Sequence, residues 1–186
     1  MARRIHAINA ELDRLRIVEE LRRDPELWRE WVAYSSYAPE ERQVSLMSGV
    51  LSAPEAVPVQ RIFVNKNDGK VVNVVWLGNS VSGWPRVVHG GVLAAILDET
   101  MGRAAIFHLP AKTGVTATLE IAYRRLALTN QFFIVRADVV HEASSERKAV
   151  VHGSIETSAQ GVHLTEAKAL FVVPRNLELG KIKEGF

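Results

Sequence analysis

From Val92 to Leu97 no polar side chain interrupts the chain, so a helix there is apolar almost all round and belongs in a core rather than on a surface. The approach to it, Trp84-Pro85-Arg86-Val87-Val88, is extended, because proline fixes its own φ and biases the preceding residue away from helix. The helix is therefore predicted to begin near His89. On either side the pattern is that of strands. Val59–Asn65 and Lys70–Leu77 read as a hairpin whose turn, Asn67-Asp68-Gly69, has the usual turn chemistry. Beyond the helix come Gly114–Tyr123, Gln131–Glu142, Lys148–Ser158 and Val162–Val172, separated by short polar turns suited to an antiparallel meander. In the third of these, Val151, Gly153 and Ile155 alternate with His152, Ser154 and Glu156, which gives one apolar and one polar face.

The N-terminal part is patterned differently. Ile8, Leu12, Leu15 and Leu21 recur at helical spacing, and Pro25 fits the first turn of a second helix with Asp24 as its N-cap. Leu27, Trp28, Trp31 and Val32 would form the apolar face of that helix. Residues 39–58 are rich in Pro, Ser and Gly, with a short strand expected over Val44 to Leu51. One long apolar helix among antiparallel strands predicts an α+β fold, the helix lying against a curved sheet. The expected organisation is an N-terminal helical extension and linker over 1–58, packed on a core domain over 59–186.

Composition narrows the functional classes. At 186 residues the chain supports a substantial core, and a net charge of +2 is too weak to imply binding to nucleic acid or a membrane surface. The absence of cysteine excludes disulfides, thiolate metal sites and cysteine nucleophiles. Among the six histidines no pair has the short helical spacing of a zinc hydrolase, no glycine-rich phosphate loop is present, and no cofactor is expected. No apolar run reaches the roughly 18 residues of a membrane span, so no membrane insertion is expected. Arg3 and Arg4 are soon followed by Glu11, Asp13, Glu19 and Glu20, unlike an acid-poor transit peptide. A cytoplasmic protein is expected, with a mitochondrial one as the alternative if a targeting segment has been removed.

The candidate chemistry sits on the apolar helix. Asp98 shares a stripe with Gly91, Ala94, Met101, Gly102 and Ala105, none of which can pair with it. Its neighbour Glu99 has Arg103 four residues on and reads as a surface ion pair. An unpaired buried carboxylate is costly and is driven toward the protonation range of a general base; alternatively, it accepts a hydrogen bond from a backbone or hydroxyl group in the core. His89-Gly90-Gly91 leaves backbone N–H groups unshielded at the positive end of the helix, where an oxyanion can be held. His108, near the other end, is expected to favour the helix dipole. Gly91 and Asp98 are seven residues apart, about 10 Å along the axis, too far for one carbonyl to meet both. An antiparallel second copy would bring them together, so a homodimer with composite sites is expected.

Val88-His-Gly-Gly-Val-Leu-Ala-Ala-Ile-Leu-Asp98, with Gly114-Val-Thr-Ala-Thr-Leu119 and Ala122-Tyr-Arg-Arg125, resembles the hot-dog-fold acyl-CoA thioesterases of the phenylacetate-degradation type. Within that superfamily it is similar to the carboxyl-terminal-modulator-like thioesterases and their fungal relatives, over about Val59 to Val173. The resemblance implies a hot-dog fold and metal-independent hydrolysis of an acyl-CoA, of medium or long chain, to a free acid and coenzyme A, by a homodimer or tetramer in lipid metabolism. It also implies roles. Gly91, supported by Gly90, matches the oxyanion donor; His89 matches the histidine that positions the thioester; Asp98 matches the acid that activates water or attacks directly. Thr116 matches the threonine that holds the water, and Arg124, Arg125, Arg147 and Lys148 are candidates for the coenzyme A phosphates. Two positions depart from the family pattern: Thr118 stands where asparagine is common, altering the acyl pocket, and Leu126 stands where proline is usual. A non-catalytic acyl-CoA-binding or protein-partner module on the same fold is the competing reading.

Overall fold

The computed structural model describes residues 2–175, 180–182 and 185–186. Two short helices, α1 (Ala2–Leu12) and α2 (Arg16–Arg22), precede strand β1 (Trp28–Val32) and helix α3 (Pro39–Gln43). The hairpin β2 (Gln60–Asn65) and β3 (Val71–Leu77) follows, then a small ribbon of β4 (Ser82–Trp84) and β5 (Val87–Val88). Helix α4 (Gly90–His108) comes next, and β6 (Val115–Tyr123), β7 (Gln131–Val139), β8 (Lys148–Thr157) and β9 (His163–Val172) complete the fold. The main sheet has seven antiparallel strands in the order β1-β2-β3-β7-β8-β9-β6.

Both strands of the predicted hairpin, the apolar helix and the four strands predicted after it are present. At the hairpin, Gly69 takes a φ of 72° and Asn65 Oδ1 accepts the backbone N–H groups of Asn67 and Asp68. Three expectations are corrected. Asp24 caps only one turn, accepting from the N–H of Leu27, after which Trp28–Val32 pairs with β2 instead of forming a helix. Trp28 and Trp31, three residues apart, then face opposite sides of a strand: Trp28 packs on the outer cluster and Trp31 on the inner one. Residues 44–51 form turns and a 3-10 segment rather than a strand, with Val44, Leu46 and Val50 exposed. The strands after α4 are not a simple meander. Residues following β6 run instead against the β5 segment, Ala127 accepting from Val88 N–H and Leu128 bridging Val87. Asn130 N–H then bonds Leu77 O as the chain enters β7 beside β3, which leaves β6 on the far edge, paired with β9.

The centre of the sheet is covered on both faces. Leu93, Ile96, Leu97, Met101 and Ala105 of α4 pack on Val71, Val75, Phe133, Val135, Val151 and Phe171. On the other face, Ile8, Leu12, Val18 and Leu21 of α1 and α2 lie on Phe63, Val72, Val74, Phe132 and Ile134. This explains why β3 is buried at every position and reads as a nearly continuous apolar run. Its one polar residue, Asn73, is fully buried and faces α4, where Nδ2 donates to Thr100 Oγ1 and Gln60 Oε1, each at 3.1 Å. Strand β6 is the contrast, exposed along most of its length.

Candidate active site

Helix α4 begins where the extended backbone of His89 turns, and His89 is its N-cap. The cap is made by the ring: Gly91 N–H donates to His89 Nδ1 at 2.9 Å. A Cβ on Gly91 would stand 3.0 Å from that nitrogen, so glycine is what lets the imidazole lie over the backbone. An accepting Nδ1 places the proton of the neutral ring on Nε2. One residue earlier, Tyr123 Oη donates to Gly90 O at 2.9 Å.

Two turns along α4, Asp98 is half-buried, not fully buried, and it has a partner. Thr116 Oγ1 donates to Asp98 Oδ1 at 2.7 Å. Of the two readings of Asp98, the isolated buried acid gives way to the one bonded to a hydroxyl: the partner is 18 residues further along the chain, where helical spacing cannot identify it. A local irregularity makes the contact. Thr116 lies opposite Phe171 and Thr118 opposite Leu170, so Ala117 is an extra residue in β6, a β-bulge. Phe171, Ala169 and Ala167 belong to the core beside the helix, and their partners are Thr116, Leu119 and Ile121. A regular strand would have given the inward position to Ala117; the bulge gives it to Thr116.

Glu99 is not a surface ion pair. The side chain of Arg103 is 2% exposed, lies 3.4 Å from Glu99 and stacks against the rings of Tyr34 and Phe186. Tyr34 Oη also donates to Glu99, and burial first, then the nearby Glu99 carboxylate, against the opposing pull of Arg103, raise its phenol well above its ordinary range. The segment after β1 covers this side of α4, which is why the charges are inside.

The proposed phosphate-binding residues fall into two groups. Arg147 and Lys148 open β8, beside an open groove of about 590 Å³ that Arg175 also lines, and Arg147 Nη2 donates to Val173 O. Arg124 and Arg125 follow β6, their N–H groups both directed at Leu164 O, and Arg124 pairs with Glu166 at 3.0 Å. Lys148 and Val115 both face Val172, whereas Tyr123 faces Thr165, so the groups lie at opposite ends of the sheet, about 30 Å apart along β6. Asp98 and Thr116 belong to the first end, Gly90, Gly91, His89 and Tyr123 to the second. Thr118 is exposed on β6 and is brought to neither. Tyr123 was legible only as an aromatic beside the basic pair. Among the described residues no cluster of three or more His, Asp or Glu is placed to hold a metal, and no helix is long and apolar enough to cross a membrane.

Residues 86–156, from the approach to α4 through most of β8, match the thioesterase superfamily. The matched stretch is less than half of the chain, and over it the chain is similar to that superfamily. Consistent with this, a crystal structure of a thioesterase superfamily protein superposes with a TM-score of 0.54 at 30% identity, over 62% of this chain and 56% of that one. The architecture is the hot-dog fold of such structures. An uncharacterised UPF0644 protein of Schizosaccharomyces pombe is 29% identical over 90% of this chain and 65% of its own length. A Candida albicans protein named as mitochondrial is 26% identical over 84% of this chain and 72% of its own. The acyl-coenzyme A thioesterase THEM4 of Mus musculus is 31% identical over 60% of this chain and 46% of its own length. The chain thus spans less than two thirds of the length of the Schizosaccharomyces and mouse relatives.

Proposed function

We propose that this protein is an acyl-CoA thioesterase whose active sites are shared between two copies of the chain. The observation that carries this reading is the division of the site. Each protomer holds a carboxylate–hydroxyl pair, Asp98 with Thr116, at one end of the exposed half of α4 and a glycine N–H under His89 at the other. Gly91, Ala94, Ala95 and Asp98, at helical spacing, are all exposed or half-exposed, and edge strand β6 runs beside them. An antiparallel partner helix on that stripe sets Gly91 of one copy against Asp98 of the other. It also brings Arg124 and Arg125 of one copy toward the same site as Arg147 and Lys148 of the other, where coenzyme A phosphates would need them. A tetramer is a further assembly of such dimers.

The chemistry follows. The thioester carbonyl oxygen takes the Gly91 N–H in place of His89 Nδ1, and the helix N-terminus stabilises the charge that develops on it. His89 Nε2–H is left to position the thioester. Asp98, held by Thr116, accepts one proton of a water whose other proton is accepted by Thr116 Oγ1, so the oxygen lone pair is aimed at the carbonyl carbon. The water oxygen bonds to that carbon, Asp98 takes the proton, and the tetrahedral intermediate expels the thiolate of coenzyme A, which is then protonated. Direct attack by Asp98, through an anhydride that water opens, is the alternative route to the same products. The substrate in this proposal is an acyl-CoA of medium or long chain. The mitochondrial name of the Candida relative favours a mitochondrial setting over the cytoplasmic one expected from the N-terminus.

Free-thiol release from acetyl-, octanoyl- and palmitoyl-CoA tests the reading. Turnover that Asp98→Asn abolishes while acyl-CoA binding persists is the expected result. Binding without any thiol release would favour the non-catalytic module.

A further inference from the structure

Strand β6 touches the start of α4 through a contact that the proposed chemistry does not use. Tyr123 Oη donates to Gly90 O at 2.9 Å. The carbonyl of Gly90 and the N–H of Gly91 belong to one planar peptide unit, so whatever fixes the oxygen also fixes the direction of the N–H. That N–H is the donor proposed for the thioester oxyanion. Two consecutive glycines at a helix N-terminus have no side chains to restrain the unit, and their backbone is the freest of any residue pair. The grip must come from elsewhere, and Tyr123 supplies it on the oxygen side while His89 holds the hydrogen side at 2.9 Å.

We infer that Tyr123 is a positioning residue of this site, orienting the Gly90–Gly91 peptide so that the Gly91 N–H stays aimed when the thioester oxygen replaces His89. The inference rests on the thioesterase reading for its consequence in catalysis, but not for its geometry. The Gly90 carbonyl, at the first turn of the helix, also accepts from the helical ladder four residues on; a carbonyl oxygen has lone pairs for both bonds. A second hydrogen bond on that oxygen polarises the peptide and makes its N–H a stronger donor. Register puts Tyr123 in place. Counting in steps of two from Leu119 and Ile121, which pack on the core, Tyr123 faces the helix, and its ring carbons stand 3.5–3.6 Å from where a Cβ on Gly90 would be. The same strand therefore serves both ends of the stripe, with Thr116 at Asp98 and Tyr123 at Gly90.

Tyr123→Phe keeps the ring over Gly90 and removes only the hydroxyl, so the variant should fold as the parent does. Two readouts separate this inference from the functional reading. By NMR, the Gly91 amide should shift and exchange faster with solvent in Tyr123→Phe than in the parent, a result that needs no substrate. In thiol-release assays with the acyl-CoA that the parent turns over best, kcat should fall about five- to tenfold, the loss of one neutral hydrogen bond, with KM within about twofold. An unmoved Gly91 amide overturns the inference whatever the kinetics. A moved amide with unchanged kcat also overturns it, because the peptide would then not need to be held for reaction. A parent that releases thiol from none of the acyl-CoAs refutes the thioesterase reading, and the amide then decides by itself whether Tyr123 holds the peptide.

Discussion

Thr116 reaches Asp98 only because Ala117 is bulged out of the ladder between β6 and β9. The hydroxyl orients the carboxylate and leaves its own lone pairs for a water. Thr116→Val removes that bond while keeping the shape of the side chain. Since hydrogen bonds to charged groups contribute about 1.5–3 kcal/mol, kcat should fall about 10- to 100-fold, with Asp98→Asn costing more and the double variant little beyond it. Steady-state kinetics on the three variants would show this; additive losses would mean that the two residues act separately.

The two glycines should respond in opposite ways. A Cβ on Gly90 meets the Tyr123 ring at an ordinary 3.5 Å, whereas one on Gly91 meets His89 Nδ1 at 3.0 Å. Alanine at either position also gains helix propensity, up to about 1 kcal/mol. Gly90→Ala should therefore be stabilised and keep kcat within about threefold, a range of about 0.7 kcal/mol. Gly91→Ala should unfold no more easily yet lose about tenfold or more in kcat as the imidazole is displaced. Melting curves beside kinetics check both, and equal kinetic losses would sink the assignment of the donor to Gly91.

Thr100 links α4 to the buried Asn73, and its hydroxyl also donates to Ile96 O at 2.8 Å. Asn73 Oδ1 has no partner among the described residues, so losing the Thr100 contact leaves this amide less satisfied still. Thr100→Val should destabilise the fold by about 1–3 kcal/mol in urea titrations while leaving KM within about twofold.

Acid should weaken the fold through His108. Partial burial, then the neighbouring His141 and Lys112, push its imidazole below the ordinary value of 6.5, against a backbone hydrogen bond with Ser145 and the pull of the helix end. The unfolded chain then binds the proton first. Stability is complete above about pH 6.5 and is lost as pH falls from there toward the lower folded value. Urea midpoints at about pH 7.5 and about pH 5.5 should differ in the parent and differ less in His108→Gln.

What the sequence disclosed follows from where periodicity is decided locally. Val71–Leu77 is buried at every position and Val92–Leu97 is apolar throughout, with Leu93, Ile96 and Leu97 buried, and turn residues such as Gly69 and His89 stop them cleanly, so their limits are legible. Trp28 and Trp31 lie on a strand although the spacing 27, 28, 31 and 32 suits a helix equally well; pairing with β2 decides the matter. The site divides in the same way. Asp98, Gly91 and His89 lie in one segment and were visible together. Which face Thr116 shows depends on one bulged residue, and the roles of Glu99 and Tyr123 depend on elements far along the chain.

The central claim is that neither copy of the chain holds a whole site, and mixing two inactive variants tests it most directly. Asp98→Asn keeps the glycine donor; Gly91→Pro, which fits the first turn of a helix, removes the N–H but keeps the acid. If sites are shared, unfolding and refolding the two together yields mixed dimers with one intact site each, and activity should return to about a quarter of the parent's. Recovery of nothing beyond the separate variants, in a mixture shown to contain mixed dimers, would contradict the shared site.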